Sequence, residues 1–96
     1  MIESFGDPAT ADLFHNRPTQ RVRRFPAEIL QAVLRKLDVI NTAHQLQDLR
    51  SPPGNRLETL KGRLRGFYSI RVNAQWRITF RWSGNSAYEV SLTDYH

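Results

Sequence analysis

The sequence contains no cysteine, and this absence removes several classes of protein at once. Disulfide scaffolds, cysteine-ligated zinc sites and thiol nucleophiles all need a residue that the chain does not have. No apolar run approaches the roughly 18 residues of a membrane span, and the first residues do not join a basic segment to an apolar one as a secretory signal does. The 96 residues are enough for one domain, which we place at 1–96. We expect a cytoplasmic protein without a membrane segment.

Motifs for metals and cofactors are missing as well. The three histidines, His15, His44 and His96, lie far apart in the sequence and do not have the spacing of metal ligands. The carboxylates are not grouped, and no phosphate loop, dinucleotide-binding motif or nucleophile elbow occurs. We expect neither a metal site nor a cofactor.

Lysine is scarce too, because twelve of the 14 basic residues are arginine and only Lys36 and Lys61 are lysine. Arginine matches phosphate oxygens with a planar, two-pronged guanidinium group. The charge is also uneven: residues 1–48 are neutral overall, whereas residues 49–81 carry eight basic residues against Glu58 alone. This asymmetry indicates a polyanionic partner for the C-terminal half, and a solvated basic face is the alternative.

The first half of the chain has the patterns of two helices. Asp7 and Pro8 are typical of a helix start, and they predict a short helix over 9–16. A longer helix is predicted over 26–40, where apolar residues recur at helical spacing. The connector 17–24 between them carries four arginines and no acidic residue. It is either a solvated loop or a docking surface for RNA or for an acidic partner.

The apolar period changes to two after the Pro-Pro-Gly-Asn break at 52–55. This alternation predicts an antiparallel meander, and residues 1–5 predict an additional edge strand. The fold class is therefore α+β, with two N-terminal helices packed on one face of a twisted antiparallel sheet of about four strands. The inward-facing residues of the strands are predicted to be Leu60, Tyr68, Ile70, Val72, Trp76, Ile78, Phe80, Trp82, Tyr88, Val90 and Leu92.

The opposite face of the sheet holds the candidate site. If Val72 and Trp76 both point inward, the turn between them places Arg71 directly opposite Arg77. Like charges in opposition destabilise a sheet, so we interpret the pair as an anion site rather than as two solvated side chains. Lys61, which follows an inward Leu60, and Tyr95, at the end of the last strand, have the same outward parity.

Further basic and aromatic residues of the second half are candidates for RNA binding. Phe67 has outward parity and can stack on a base, although packing at an edge strand is an equally good explanation. The predicted RNA-binding residues are Arg56, Arg63, Arg65, Phe67 and Arg81.

Taken together, these segments resemble the HigB toxins of the RelE/ParE toxin superfamily, also called plasmid-maintenance killer proteins. The resemblance covers nearly the whole chain. It depends on a short helix, a long helix and four segments, which are Pro-Pro-Gly-Asn-Arg-Leu-Glu-Thr-Leu-Lys-Gly (52–62), Tyr-Ser-Ile-Arg-Val-Asn (68–73), Gln-Trp-Arg-Ile-Thr-Phe (75–80) and the terminal Asp-Tyr-His (94–96).

The resemblance implies a RelE-like fold and the toxin of a type II toxin–antitoxin system, a ribosome-dependent mRNA endonuclease that inhibits translation. It also implies a helix-turn-helix antitoxin of the HigA type as partner. Some members have a histidine where this chain has Glu58, which argues against histidine-based proton transfer from this strand. The catalytic residues that the resemblance implies are Lys61, Arg71, Arg77, Asp94, Tyr95 and His96.

RNA cleavage without a metal needs a base at the ribose 2′-OH, an acid at the 5′-oxygen and cations around the phosphate. Arg71 and Arg77 can supply the positive charge, and in-line attack leaves a 2′,3′-cyclic phosphate and a 5′-OH. Lys61 or Tyr95 has to transfer a proton, and nearby cations favour the deprotonated form of either group. Tyr95 can instead stack on a base.

Two other functions remain open at this point. One is a ParE-like toxin that poisons gyrase without nuclease activity, and the other is a non-catalytic module that binds RNA or the ribosome. The opposed arginines, Lys61 and the Asp-Tyr-His terminus favour the nuclease over both.

Overall fold

Two α-helices precede a four-stranded antiparallel sheet in the computed structural model, which describes residues 1–94. The helices are α1, Pro8–Phe14, and α2, Leu30–Thr42. The strands are β1, Glu58–Thr59, β2, Tyr68–Arg71, β3, Trp76–Ser83, and β4, Ser86–Asp94. They lie side by side in chain order, each antiparallel to the next. The predicted α+β class and the four-stranded antiparallel sheet are confirmed.

Helix α1 begins as its first residues dictate, whereas α2 begins later than predicted. The Asp7 carboxylate caps α1 by accepting the backbone N–H of Thr10 at 2.7 Å, and Pro8 occupies the first helical position. The start predicted for the longer helix is early by one turn, because Ala27–Ile29 form a 3₁₀ turn before α2. The description as two N-terminal helices is also imprecise, since short 3₁₀ helices occupy Val22–Arg24, Ala27–Ile29, Leu46–Arg50, Pro53–Asn55 and Gly62–Leu64.

The core lies between the helices and one face of the sheet. Three α2 residues, Val33, Leu37 and Ile40, are fully buried at helical spacing against β-sheet residues of matching parity. Val72, Trp76 and Trp82 pack at the margin of this core, as the alternation predicts. The buried sheet residues of the core are Ile70, Ile78, Phe80, Ala87, Val90 and Leu92.

The predicted inward position of Tyr88 is wrong, because β4 contains a β-bulge. Thr79 pairs with Ser91 and Arg81 pairs with Tyr88, so Glu89 and Val90 together face the single residue between them on β3. The extra residue reverses the alternation in the first part of β4. Ala87 is buried in its place, and Tyr88 is 37% exposed on the opposite face.

The edge strand predicted over residues 1–5 is also wrong. This segment meets β4 only at two isolated parallel bridges, Ile2 with Ala87 and Phe5 with Val90. The bulge residue Glu89 lies between the two bridged positions of β4, Ala87 and Val90. The N-terminal segment therefore braces β4 without forming a strand.

Candidate active site

The polar face of the sheet, away from the helices, is organised around two opposed arginines. Arg71 of β2 pairs with Arg77 of β3, as the sequence predicts. The three-residue turn that sets this register is closed by Asn73, whose side-chain oxygen accepts the N–H groups of Gln75 and Trp76, each at 2.8 Å. The register therefore follows from turn chemistry as well as from the apolar alternation.

Arg77 lies on the outward face of the sheet, as predicted, but its side chain is buried there and does not extend into solvent. Its Nε donates to Ser69 Oγ at 2.8 Å, and its Nη2 donates to the backbone carbonyl of Arg56 at 2.7 Å. Its Nη1 lies 3.6 Å from Glu58 Oε1, and only 10% of the side chain is exposed. The guanidinium group is thus held at a fixed position before any ligand arrives, which is the condition for electrostatic stabilisation without reorganisation.

Two of the residues that hold Arg77, Glu58 and Ser69, are not among the predicted site residues, and Arg56 is predicted for its side chain rather than for its backbone carbonyl. Glu58, which stands where some family members have a histidine, pairs across the ladder with Ser69 and brings a carboxylate to Arg77. Ser69 is completely buried. The carbonyl of Arg56 reaches Arg77 because Arg56 adopts a left-handed conformation with φ of 45°. The alternation of side chains in β1 and β2 could have placed Glu58 and Ser69 on the face of Arg77. No sequence pattern predicts which backbone carbonyl reaches it.

Leu60 and Lys61 do not lie on the faces that the alternation predicts. Leu60 is buried, as expected, but it lies outside the main core. Its N–H donates to the carbonyl of Phe67 at 2.9 Å, which extends the register of β1 and places Leu60 on the polar face. The parity that assigned an inward Leu60 and an outward Lys61 is therefore wrong. Lys61 itself is exposed at the start of the 3₁₀ turn Gly62–Leu64.

The remaining predicted RNA-binding residues separate into two groups. Arg56, Arg63 and Arg65 are exposed on the loops that flank β1. Phe67 and Arg81 lie together, with the Arg81 guanidinium 4.4 Å from the centre of the Phe67 ring. Arg81 also pairs with Glu89 at 2.8 Å. Because β3 rises about 3.3 Å per residue, Arg81 lies roughly 13 Å along the strand from Arg77.

The predicted C-terminal residues lie only partly within the described chain. Asp94 pairs with Trp76 in the ladder, so its side chain belongs to the face opposite the arginines. Its carboxylate accepts hydrogen bonds from Gln75 Nε2, at 3.2 Å to each oxygen. Tyr95 and His96 lie outside the described residues, and their assignment stays a prediction.

The arginine-rich connector is anchored to α1 by a buried carboxylate. Asp12 accepts hydrogen bonds from Thr19 Oγ1 and Arg21 Nε, each at 2.9 Å, and Arg17 lies 3.4 Å away. The Thr19 hydrogen bond, helped by both guanidinium groups, lowers the pKa of Asp12 although burial opposes the shift. The connector is therefore held against α1 by side-chain contacts. Its role as a docking surface stays a prediction.

Residues 1–94 show neither a metal-binding cluster nor a membrane-spanning helix. They contain no group of three or more His, Cys, Asp or Glu side chains placed to hold a metal ion. Neither α1 nor α2 has the length and apolar character needed to cross a membrane.

Comparison with known proteins relates the whole chain to one family. Residues 3–96 match the family described as RelE-like toxins of the type II toxin–antitoxin system HigB. The Toxin HigB-1 of Vibrio cholerae is 49% identical over 63 residues, which are 66% of this chain and 66% of that protein. The Endoribonuclease HigB of Proteus vulgaris is 35% identical over 96 residues and the alignment covers all of both chains.

A solved structure supports the same fold. The YoeB–YefM complex from Staphylococcus aureus has a chain that superposes with a TM-score of 0.61 over 100% of this chain and 98% of its own, at 18% identity. At that identity the likeness concerns the fold alone.

Proposed function

Since the chain belongs to the HigB-like family of RelE-like toxins of type II toxin–antitoxin systems, we propose that it is a metal-independent endoribonuclease that cleaves mRNA on the ribosome. The full-length relative from Proteus vulgaris is named an endoribonuclease. The observation that carries the proposal is the guanidinium group of Arg77, fixed by Ser69 and the Arg56 carbonyl and paired in register with Arg71.

In the proposed reaction the two arginines bind the scissile phosphate. The 2′-oxygen of the ribose attacks phosphorus in line as its proton passes to a base, and the bond from phosphorus to the 5′-oxygen breaks as that oxygen takes up a proton. The products are a 2′,3′-cyclic phosphate and a 5′-OH. Because two positive groups already face the phosphate, the negative charge that develops in the transition state is stabilised without movement of the protein.

Lys61 and Tyr95 are the proposed proton-transfer groups, and stacking on a base is the alternative role for Tyr95. His96 completes the proposed catalytic set, and Asp94, whose side chain lies on the opposite face, is proposed only to position the terminal residues. Arg56, Arg63 and Arg65 extend the positive surface towards β1, where they bind neighbouring phosphates of the same strand. Phe67 and Arg81 bind the RNA further along the polar face.

The ribosome and a helix-turn-helix antitoxin of the HigA type are the proposed partners, and the cytoplasm is the proposed location. A small open face holds few nucleotides of a flexible strand, so free RNA is poorly positioned for in-line attack. The ribosome presents mRNA in a defined conformation and thereby supplies the missing positioning.

The experiment is translation of a defined mRNA in a purified system with the wild-type protein, followed by gel analysis of the RNA. We expect ribosome-dependent fragments with 5′-OH ends. Arg71→Ala should lower the cleavage rate by about 10²–10³-fold, because it removes one of the two charges that stabilise the transition state. The matched control is Arg35→Ala, which removes an exposed arginine of α2 and should cleave at the wild-type rate.

Other outcomes point to the other functions. Intact mRNA together with a supercoiling defect indicates a gyrase poison, and intact mRNA with ribosome binding alone indicates a non-catalytic module. Rapid cleavage of naked RNA that begins only when a metal is added contradicts the proposed mechanism.

A further inference from the structure

The β-bulge in β4 brings an aromatic side chain onto the polar face. Without the extra residue, Tyr88 would point into the core, where the sequence pattern predicts it. With it, Tyr88 pairs with Arg81 and shares the face of Arg77 and Thr79. Glu89 has φ of 53° at the bulge, a conformation that costs a non-glycine residue free energy. Strain of this kind persists where the surrounding structure enforces it.

The N-terminal segment enforces this strain. The backbone N–H of Glu89 donates to Ser4 Oγ at 2.9 Å, and the N–H of Gly6 donates to the carbonyl of Val90 at 2.9 Å. A Cβ atom at Gly6 would lie 2.2 Å from Ser91 Oγ and 3.1 Å from the Glu89 carbonyl oxygen, so only glycine allows this approach. The bulge is therefore built into the fold, with its unpaired N–H satisfied.

On the polar face, Tyr88 lies across the ladder from Arg81, which stacks on Phe67. The Arg81 guanidinium lies over the Phe67 ring, 4.4 Å from its centre, and Glu89 holds its Nε at 2.8 Å. About half of the Arg81 side chain remains exposed, so one side of it stays open to a ligand. Nucleic-acid bases stack on aromatic rings and on arginine planes, and this combination is typical of sites for unpaired bases.

Two adjoining hollows connect this cluster to the phosphate site. One, of about 430 Å³, is lined by Gly66, Arg81, Trp82, Ser83, Tyr88 and Glu89. The other, of about 290 Å³, shares Glu89 with it and runs past Phe67 to Thr79, Ser91 and Thr93. Thr93 pairs in register with Arg77, so the second hollow ends beside the opposed arginines.

We propose that Tyr88, Arg81 and Phe67 form a second subsite, which stacks one unpaired base of the bound RNA away from the cleaved bond. This inference deepens the proposed nuclease function and depends on it. The distance of roughly 13 Å from Arg77 to Arg81 separates the base subsite from the phosphate site. The Glu89 carboxylate accepts hydrogen bonds only, so the subsite favours a base that directs an N–H donor towards it. The subsite therefore gives the nuclease a sequence preference outside the cleaved bond.

The test maps cleavage sites on a mixed-codon reporter mRNA in the purified translation system, with rates at the preferred sites. Tyr88→Ala should lower those rates by about 5- to 150-fold, the range expected for one lost base stack, and should remove the preference at one flanking position. Tyr88→Phe should keep both. Leu34→Ala is the matched control, because Leu34 is 39% exposed on α2, close to the 37% of Tyr88.

A second variant, which is expected to stay folded, tests the same subsite independently of Tyr88→Ala. Glu89→Gly is expected to keep the bulge, since glycine adopts a positive φ without strain, while it removes the carboxylate. This variant should lose the preference that the carboxylate imposes at the flanking position.

The outcomes separate the two proposals. If the wild-type protein cuts no mRNA, the nuclease function itself is wrong. If the wild-type protein cuts and Tyr88→Ala gives the same map at the same rates, the subsite is overturned and the nuclease function stands. An unchanged map with weaker capture of the antitoxin would assign Tyr88 to a protein interface and would also overturn the subsite.

Discussion

Arg77 and Arg81 lie four residues apart on β3, on the same face of the sheet, and each has a glutamate within ion-pair distance. They differ in burial, because 10% of the Arg77 side chain is exposed and 49% of the Arg81 side chain. Arg77 lies in the regular part of the ladder, where Ser69 and the Arg56 carbonyl close around it. Arg81 lies beside the bulge, against one ring.

The comparison shows that surroundings, rather than residue type or parity, decide what an arginine can do. A buried guanidinium group with several fixed acceptors is preorganised and suits the stabilisation of a developing charge. A half-exposed one on an aromatic ring can adjust to its ligand and suits the stacking of a base. The two ends of one polar face are therefore suited to two parts of the same reaction.

The largest effects are expected from two single variants, one at Arg77 and one at Arg81. Arg77→Ala should lower mRNA cleavage by about 10²–10³-fold. It should also lower the free energy of unfolding by about 1–3 kcal/mol, because the buried partners of Arg77 lose their donor. Arg81→Ala should cost no more than about 1 kcal/mol, since its ion pair and ring contact are exposed. Denaturant unfolding and cleavage of the same mRNA measure both quantities.

Arg77→Lys keeps the positive charge but loses the two-pronged guanidinium geometry, so it separates the effect of charge from that of geometry. Equal losses of stability in Arg77→Ala and Arg81→Ala would show that the difference in burial has no energetic consequence.

Variants of the C-terminus test whether the phosphate site at Arg77 needs a proton-transfer group in addition to positive charge. Deleting Tyr95 and His96 should lower cleavage by about 10²-fold or more if they supply proton transfer. The inward-facing residues predicted from the alternation of β4 end at Leu92, so thermal unfolding should stay close to that of the wild-type protein. Tyr95→Phe separates the two roles of the tyrosine: activity that survives indicates stacking, and activity that is lost indicates proton transfer. A truncated protein that both unfolds early and stops cleaving would make the terminus structural.

The smallest effect on cleavage is expected at a third arginine site, away from the sheet. Asp12 holds Arg17 and Arg21 on α1, and its pKa in the folded protein is lowered. Because the folded-state pKa lies below the unfolded value of about 3.9, this stabilisation is complete above that pH and is lost as the pH falls through the folded-state pKa. Asp12→Asn should therefore be less stable than the wild-type protein at pH 7.

The difference should shrink below about pH 4, where Asp12 of the unfolded chain begins to protonate, and should vanish below the folded-state pKa. Thermal unfolding of both proteins from pH 7 to pH 2 measures it, and the cleavage rate at pH 7 should be unchanged. A stability difference that does not vary with pH would mean that the carboxylate charge contributes nothing to the anchor.

Much of this architecture follows from short-range patterns. The Asp7–Pro8 start of α1, the apolar stripe of α2 and the two-residue period of β2 and β3 are local, because helix caps and side-chain alternation depend on neighbours in the sequence. The opposition of Arg71 and Arg77 follows from the same alternation and a three-residue turn. Family membership was likewise readable from segments spread over the chain.

The errors arise where the chain contacts itself at long range. Alternation assumes an unbroken ladder, and the predictions for Tyr88 and Leu60 are wrong because of a bulge and because of a partner on β2. The N-terminal segment that satisfies the bulge lies more than 80 residues away in sequence.

The sequence by itself determined the fold class, the strand register at the two arginines and the positive charge of the second half. Tertiary structure alone decided that Arg77 is buried among Ser69, Glu58 and a backbone carbonyl, and that Tyr88 lies on the polar face. The physical reason is that periodicity fixes the side of a strand on which a residue lies, whereas burial and partners depend on segments that only folding brings together.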